Sequence, residues 1–373
     1  MPKRRTNRRS TRSDNRFATR TGPRAFPQDV PVARVTSPGQ LAAAVPHMMG
    51  FVPSESLVVL CGHEPRGRLG LTMRFDLPDD DGPYDTAYVV DEVADRVRAE
   101  GATRYSLLVY TDQPGALPYQ DLVEDICDEL AELRENEVLL VWADRWRSYH
   151  CAGPCCPPEG TPLEQDAGSA PILLVQTEAA LTGRSLAGSR EELAAQTAGP
   201  TFLAAELAAQ RCDTALRQYA DAIGELGVTN ARLREAALWE RVLDRWACPP
   251  ATLSDAEAAA LAVSLHDVLV RDDVVSRHAD PDDPMVALLE ELLRRTPDPY
   301  DAPVAGLLAW LTYAHGGGAR TSIALERALR SDPELSIAQL VASCLHAQIE
   351  PEVLRNAMTG TRRLLEEERR RSA

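Results

Sequence analysis

The chain has 373 residues, of which 44% are apolar, and a formal net charge of −16. That length exceeds one ordinary core and predicts two domains. No apolar run reaches the ~18 residues of a membrane span, and eight irregularly spaced cysteines do not make the framework of a small secreted fold, so reduced or metal-bound thiols are expected.

The charge is unevenly distributed. Residues 1–24 carry nine basic groups and one acid, a net +8, and the rest carries 31 basic and 55 acidic groups, a net −24. Lys3 is the only lysine. Residues 1–30 hold almost no apolar side chains, which predicts a disordered basic tail. Such a tail would touch nucleic acid through phosphates over 1–24, or fold back on the acidic body. No aromatic residues are interleaved for base stacking, which favours the second reading. No apolar signal core follows these charges, which predicts a cytoplasmic protein.

The folded part opens with a predicted helix after Ser37. Ser37 caps it, Pro38 takes the first position, Gln40 completes a capping box, and Gly50 ends it. Residues 57–61 and 71–77 read as a β-hairpin. A helix follows over 86–100, with Val89, Val90, Val93 and Val97 on one face and Gly101 at its end. Next come a strand over 105–110, a helix over 119–134 and a strand over 138–142, together a βαβ unit. The continuous apolar run of that last strand suits burial on both faces. Residues 171–176 (PILLVQ) read as one more strand.

From about residue 201 only helical patterns remain. They cover 202–247 with a break at 227–230, then 254–269, 284–295, 302–314, 321–330, 335–347 and 351–370. The fold class expected is an α/β N-terminal domain over 31–200, a mixed sheet of about four to five strands with flanking helices. It is followed over 201–373 by an all-α domain. Leu308, Ala309, Leu325, Ala328 and Pro333 sit at spacings resembling a single tetratricopeptide-like helix pair over 302–340.

The reactive side chains concentrate after the strand at 138–142. Asp144 and Arg145 follow its C-terminal end, where open α/β sheets place ligands. His150, Cys151, Cys155 and Cys156 come next. Cys151-x₃-Cys155 has zinc-ligand spacing, with His150 and Cys156 as further candidates and His63 or Cys61 as a distant fourth. A redox thiol pair activated by Arg145 or Arg147 ranks behind the metal reading, and thiols that are merely buried, with no reactivity, ahead of both. Cys155 with His150 and Asp144, or Ser54 or Ser56 with His47, can be drawn as nucleophile sets, and neither carries an elbow motif. Nucleotide-binding glycine loops, HExxH and EF-hand patterns are absent from the sequence. Gly316–Gly318 joins two helices, and Arg271, Asp272 and Asp273, which could be drawn as a binding cluster, read rather as a solvated helix end or a structural ion pair.

Four blocks in order, LAAAVPHMMGFVPSESLVVL (41–60), WADRWRSYHCAGPCCPPEGTPL (142–163), LVRDD (269–273) and LLAWLTYAHGGGARTSIALERALRSDPELSIAQL (307–340), together resemble the bacterial, actinobacterial-type "domain of unknown function 4192" family. The resemblance implies a cytoplasmic bacterial protein with a shared architecture, and hands over no activity and no catalytic residues. With no nucleotide or hydrolase signature, the expected function is an accessory protein that engages a protein partner through its helical half. The alternative is an enzyme, or a thiol- or metal-dependent redox protein, with its site at the end of strand 138–142 and the 150–156 loop. Asp144, Arg145 and Cys155 would then be the catalytic candidates, and His150, Cys151, Cys155 and Cys156 the candidate zinc ligands.

Overall fold

The computed structural model describes residues 33–372, apart from Arg66, 79–84, 114–116, 182–185, 249–250 and 278–283. The basic stretch, with the tail expected over 1–30 and its nucleic-acid reading over 1–24, lies outside the described residues.

Helix α1 spans Pro38–Met49. Ser37 is extended at φ −132° and its Oγ accepts the Gln40 amide, while Pro38 starts the helix with no amide to leave unpaired. The other half of the predicted capping box is displaced by one residue. Gln40 Oε1 accepts the Thr36 amide at 2.9 Å rather than that of Ser37. Gly50 at φ 81° closes the helix in a conformation only glycine adopts freely.

Six strands follow in one mixed sheet: β1 (Ser56–His63), β2 (Arg68–Asp76), β3 (Arg104–Tyr110), β4 (Arg134–Trp142), β5 (Arg145–Ser148) and β6 (Thr161–Pro162). Their order is β2-β1-β3-β4-β5-β6. The β1–β2 hairpin is antiparallel, and β3 and β4 are parallel across the predicted βαβ crossover. Helix α2 (Thr86–Ala99) and helix α3 (Gln120–Glu129) cover one face. Strand periodicity sorts the side chains: Leu57, Val59, Leu107, Val109, Val138 and Leu140 pack under α2 and α3, while Val58, Leu60, Leu108, Leu139 and Val141 pack on the α1 side. Burial on both faces explains why β1, β3 and β4 read as unbroken apolar runs.

Helix α3 ends at Glu129 rather than at 134. Its last turn carries acids and no base, which opposes the negative end of the helix dipole. Leu130 and Leu133 still point inward from a turn, with the Leu133 amide on the Leu130 carbonyl. The expected strand at 171–176 is instead part of helix α5 (Ala170–Leu181), which follows the short α4 (Glu164–Ala167). The apolar run continues into helix formers, Pro171 falls in the first turn, and α5 packs on α1 with Ile172 buried and Leu173 half exposed. Strands β5 and β6 were not expected; they are short and lie at the sheet's edge.

After α6 (Arg190–Ala195) every element is helical: α7 (Phe202–Leu226), α8 (Val228–Trp246), α9 (Asp255–Ser264), α10 (Val268–Arg277), α11 (Met285–Arg295), α12 (Ala302–Ala314), α13 (Gly318–Ser331), α14 (Ser336–His346) and α15 (Pro351–Ser372). Gly227 at φ 79° makes the α7–α8 break. The helix expected over 254–269 is two helices, because the chain turns at Leu265–Asp267 and Asp267 Oδ1 accepts the Leu269 amide. Helix α12 lies at the centre of this half. Every residue of α12 except Trp310 is buried, against α10, α11, α13, α14 and α15. The α12–α13 hairpin is present, and its Leu308, Ala309, Leu325 and Ala328 face this core. Among the described residues, no helix is long and apolar enough to cross a membrane.

The strand-bearing and helical halves meet at a small seam. Phe51, Ala187 and Leu193 pack with Ala319 and Ile323. Backbone bonds from Val52 to Ala187 and from Ala187 to Gly50 hold the near side.

Candidate functional site

The loop after β5 is the chemically richest stretch, and its fastening begins in the sheet. Ala143 at φ 47° and Asp144 turn β4 back into β5. The Tyr149 amide then bonds Val138 O and its hydroxyl donates to Pro118 O at 2.6 Å, so the loop leaves the sheet at a fixed point. At the far end Gly160 has φ 76°, and a Cβ there would lie 2.3 Å from the Trp142 ring. The Leu163 amide returns to Asp144 O at 2.7 Å, and Arg145 Nη1 donates to Gly160 O at 3.0 Å. Asp144 and Arg145 are thus turn and loop-closing residues in this geometry.

Within the loop, the Sγ atoms of Cys151, Cys155 and Cys156 all lie within 4.8 Å of one another, and Cys151 and Cys155 are 3.4 Å apart. The Cys156 amide on Gly153 O makes the turn that brings the three together. Cys156 is buried beside the Leu41, Val141 and Trp146 side chains, Cys151 is half-buried, and Cys155 is exposed. The Gly153 amide, with the Cys155 and Cys156 thiols, holds the Cys151 pKa below the usual thiol value. Burial pushes the Cys156 thiol up, against an opposing bond from the Ser148 amide. The lowered thiol is therefore served by a backbone amide and thiols rather than by the expected Arg145 or Arg147. Thiolates on one tetrahedral zinc, each ~2.3 Å from the ion, stand roughly 3.8 Å apart. The separations in the trio, 3.4 Å for Cys151–Cys155 and no more than 4.8 Å for the others, bracket that value.

His150 does not join the trio. Its Nδ1 lies 2.8 Å from Glu135 Oε1, and Cys127 of α3 completes a second group whose ligand atoms are all within 4.8 Å. Burial, with the nearby Glu135 and against the opposing Tyr105 hydroxyl, pushes the Cys127 thiol up to about 11. The two groups lie over opposite faces of the sheet, Cys127 against the α2–α3 core and Cys151 against the α1 core. Sequence reading missed Cys127 and Glu135. Cys127 follows Val123 by one helical turn, so its inward face was legible, but its pairing with a loop 23 residues away was not.

The other sequence candidates are engaged elsewhere. Ser56 Oγ donates to Ser54 O at 2.6 Å and accepts from Arg74 Nε, while His47 Nε2 accepts from Gln176 Nε2 at 3.1 Å. No nucleophile set forms from them. Cys61 is buried in the α2–α3 core, where burial pushes it up to about 12, and His63 pairs with Glu100 at 3.1 Å. Neither reaches the trio. Arg271 pairs with Asp272 and Arg277 with Asp273 and Glu240, a structural network. Trp239 is a core anchor whose Nε1 donates to Ser264 Oγ at 2.9 Å.

In comparison with known proteins, residues 38–352 match the model of a family described as Domain of unknown function (DUF4192). No curated protein and no solved structure matches the chain.

Proposed function

Since the chain belongs to the DUF4192 family, whose description assigns no chemistry, we propose from its geometry alone that it is a metal-binding protein. Cys151, Cys155 and Cys156 would hold one divalent cation of the zinc class as thiolates. The observation that carries this is the convergence of three Sγ atoms within 4.8 Å on a loop tied down at both ends. Soft thiolate donors select zinc-class and softer ions over magnesium or calcium. Exposed Cys155 puts one side of the site at the surface, where a water or an external thiol would supply a fourth ligand.

The test is elemental analysis with a thiol count on protein purified reduced and without chelator. The expected result is bound zinc, with one equivalent lost in the Cys151→Ser, Cys155→Ser double variant. Metal-free protein with all eight thiols titratable after unfolding rejects the reading, as does an unchanged zinc content in the variant.

A second reading draws on the 3.4 Å Cys151–Cys155 approach. In metal-free protein hydrogen peroxide would oxidise Cys151 to the sulfenic acid, releasing water. The Cys155 thiol would then form the disulfide and release a second water, so two thiols are oxidised and one peroxide reduced. Loss of two thiols per chain on peroxide treatment, blocked by prior zinc, is the expected signature.

The expected partner surface has weaker support. The apolar positions of 302–350 noted in the sequence serve the chain's own core around α12, so that face offers a protein partner little apolar surface.

A further inference from the structure

The group on the opposite face of the sheet has its own construction. In the β3–β4 ladder Tyr105 faces Glu135, but Ser106 faces Glu137, so Asn136 is an extra residue in β4. Strand side chains alternate faces. Glu135 and Val138 are an odd number of residues apart and would point to opposite faces without this bulge. With it, Glu135 shares a face with Tyr105 and Val138, the face that α3 covers. Asn136 turns the other way and donates to Ser106 Oγ at 3.2 Å. Bulges re-aim side chains in this manner next to functional sites.

Two more devices aim at the same point. Cys127 lies one helical turn beyond Val123 on the inward side of α3. The His150 amide donates to Ser148 Oγ at 3.1 Å, a local turn that ends β5 and brings the ring to 2.8 Å from Glu135. A helix, a bulged strand and a turn thus deliver one sulfur, one oxygen and one nitrogen donor to a space under 4.8 Å wide.

We propose that Cys127, Glu135 and His150 form a second cation site, separate from the three-thiol loop, for a divalent ion of borderline softness such as zinc or cobalt(II). Mixed thiolate, imidazole and carboxylate donors fit that class, and three protein ligands leave the fourth position of a tetrahedron to water. Water reaches it: the His150 and Glu135 side chains are 43% and 38% exposed. Ligands ~2.1 Å from one ion stand roughly 3.4 Å apart, so the His150–Glu135 pair opens by about half an ångström to admit it. Tyr105, buried in the same core that Cys127 packs against, would be the outer partner donating to the bound sulfur. The thiol proton leaves to solvent as the ion binds.

The experiment is cobalt(II) titration of full-length, reduced, metal-stripped protein, read by sulfur-to-cobalt charge-transfer absorption. It is run on a Cys151→Ser, Cys155→Ser, Cys156→Ala variant, with circular dichroism to verify the fold. The expected result is one cobalt per chain with a charge-transfer band. That band should vanish on adding Cys127→Ala, and affinity should fall at least tenfold on adding His150→Ala or Glu135→Gln. The last two change half-exposed side chains, so they keep the test decisive if Cys127→Ala does not fold. A folded three-thiol-less variant that binds no cobalt overturns the proposal, as does binding indifferent to His150→Ala and Glu135→Gln. Failure of the three-thiol site reads differently: removing its cysteines would then leave the wild-type stoichiometry unchanged.

Discussion

Gly160 shows how one residue governs the cysteine loop. Its φ of 76° and the Trp142 ring, 2.3 Å from where a Cβ would stand, leave no room for a side chain. Gly160→Ala should cost about 1–3 kcal/mol through strain and overpacking, measured by urea unfolding. It should also weaken zinc retention, because Arg145 closes the loop on the Gly160 carbonyl. Equal stability and zinc content in the variant would show that loop closure does not position the thiols. At this scale the sequence was informative where chemistry follows from local spacing. Cys151, Cys155 and Cys156 are close in sequence and remain close in space. His150 is adjacent to Cys151 yet belongs to another group, because its direction depends on a turn at Ser148 and its partner on a bulge at Asn136. Neither leaves a mark in a single sequence.

Helix ends and helix breaks behave differently at the scale of elements. Caps are local, so Ser37, Gly50, Gly101 and Ser254 mark real boundaries. The turn between α9 and α10 depends on tertiary partners of Asp267. Its carboxylate accepts from Tyr219 at 2.9 Å, from Arg232 at 2.7 Å and from the Leu269 amide at 3.0 Å, joining α7, α8 and α10. Burial raises its pKa, but the Arg232 and Tyr219 hydrogen bonds outweigh burial, and the net shift is downward. A carboxylate lowered in the folded state contributes stability above its unfolded pKa of ~3.9. That contribution fades as pH falls through the lower folded value. Asp267→Asn should therefore be less stable than wild type at pH 7, by about 1–3 kcal/mol, and the gap should narrow below pH ~4. Chemical denaturation at both pH values measures it; a gap that widens in acid would contradict the assigned sign. PILLVQ failed for a related reason. Short apolar runs suit strand or helix alike, and packing on α1 decided for helix.

For the whole molecule, the sequence signals divide near residue 200, while the structure ties the two sides together through Arg327. Its Nε donates to Asp301 Oδ2 at 2.6 Å, its Nη2 to the Leu293 and Thr296 carbonyls, and its Nη1 to the Thr197 carbonyl. One α13 side chain thus satisfies the ends of α11 and α12 and the segment after α6. Gly199 is small for this purpose, since a Cβ there would meet Arg327 Nη2 at 2.7 Å. Arg327 and Asp301 are only 15% and 6% exposed at their side chains, so removing one leaves a buried charge unpaired. Arg327→Ala should cost about 3–5 kcal/mol and expose 196–201 to limited proteolysis before global unfolding. Arg327→Lys should recover little, because an ammonium cannot reach four acceptors in the guanidinium's plane. Restored stability in the lysine variant would mean that charge alone suffices and that the carbonyl contacts are incidental. If the cleavage pattern also stays that of wild type, the apolar packing of Phe51 and Leu193 with Ile323 holds the halves without Arg327.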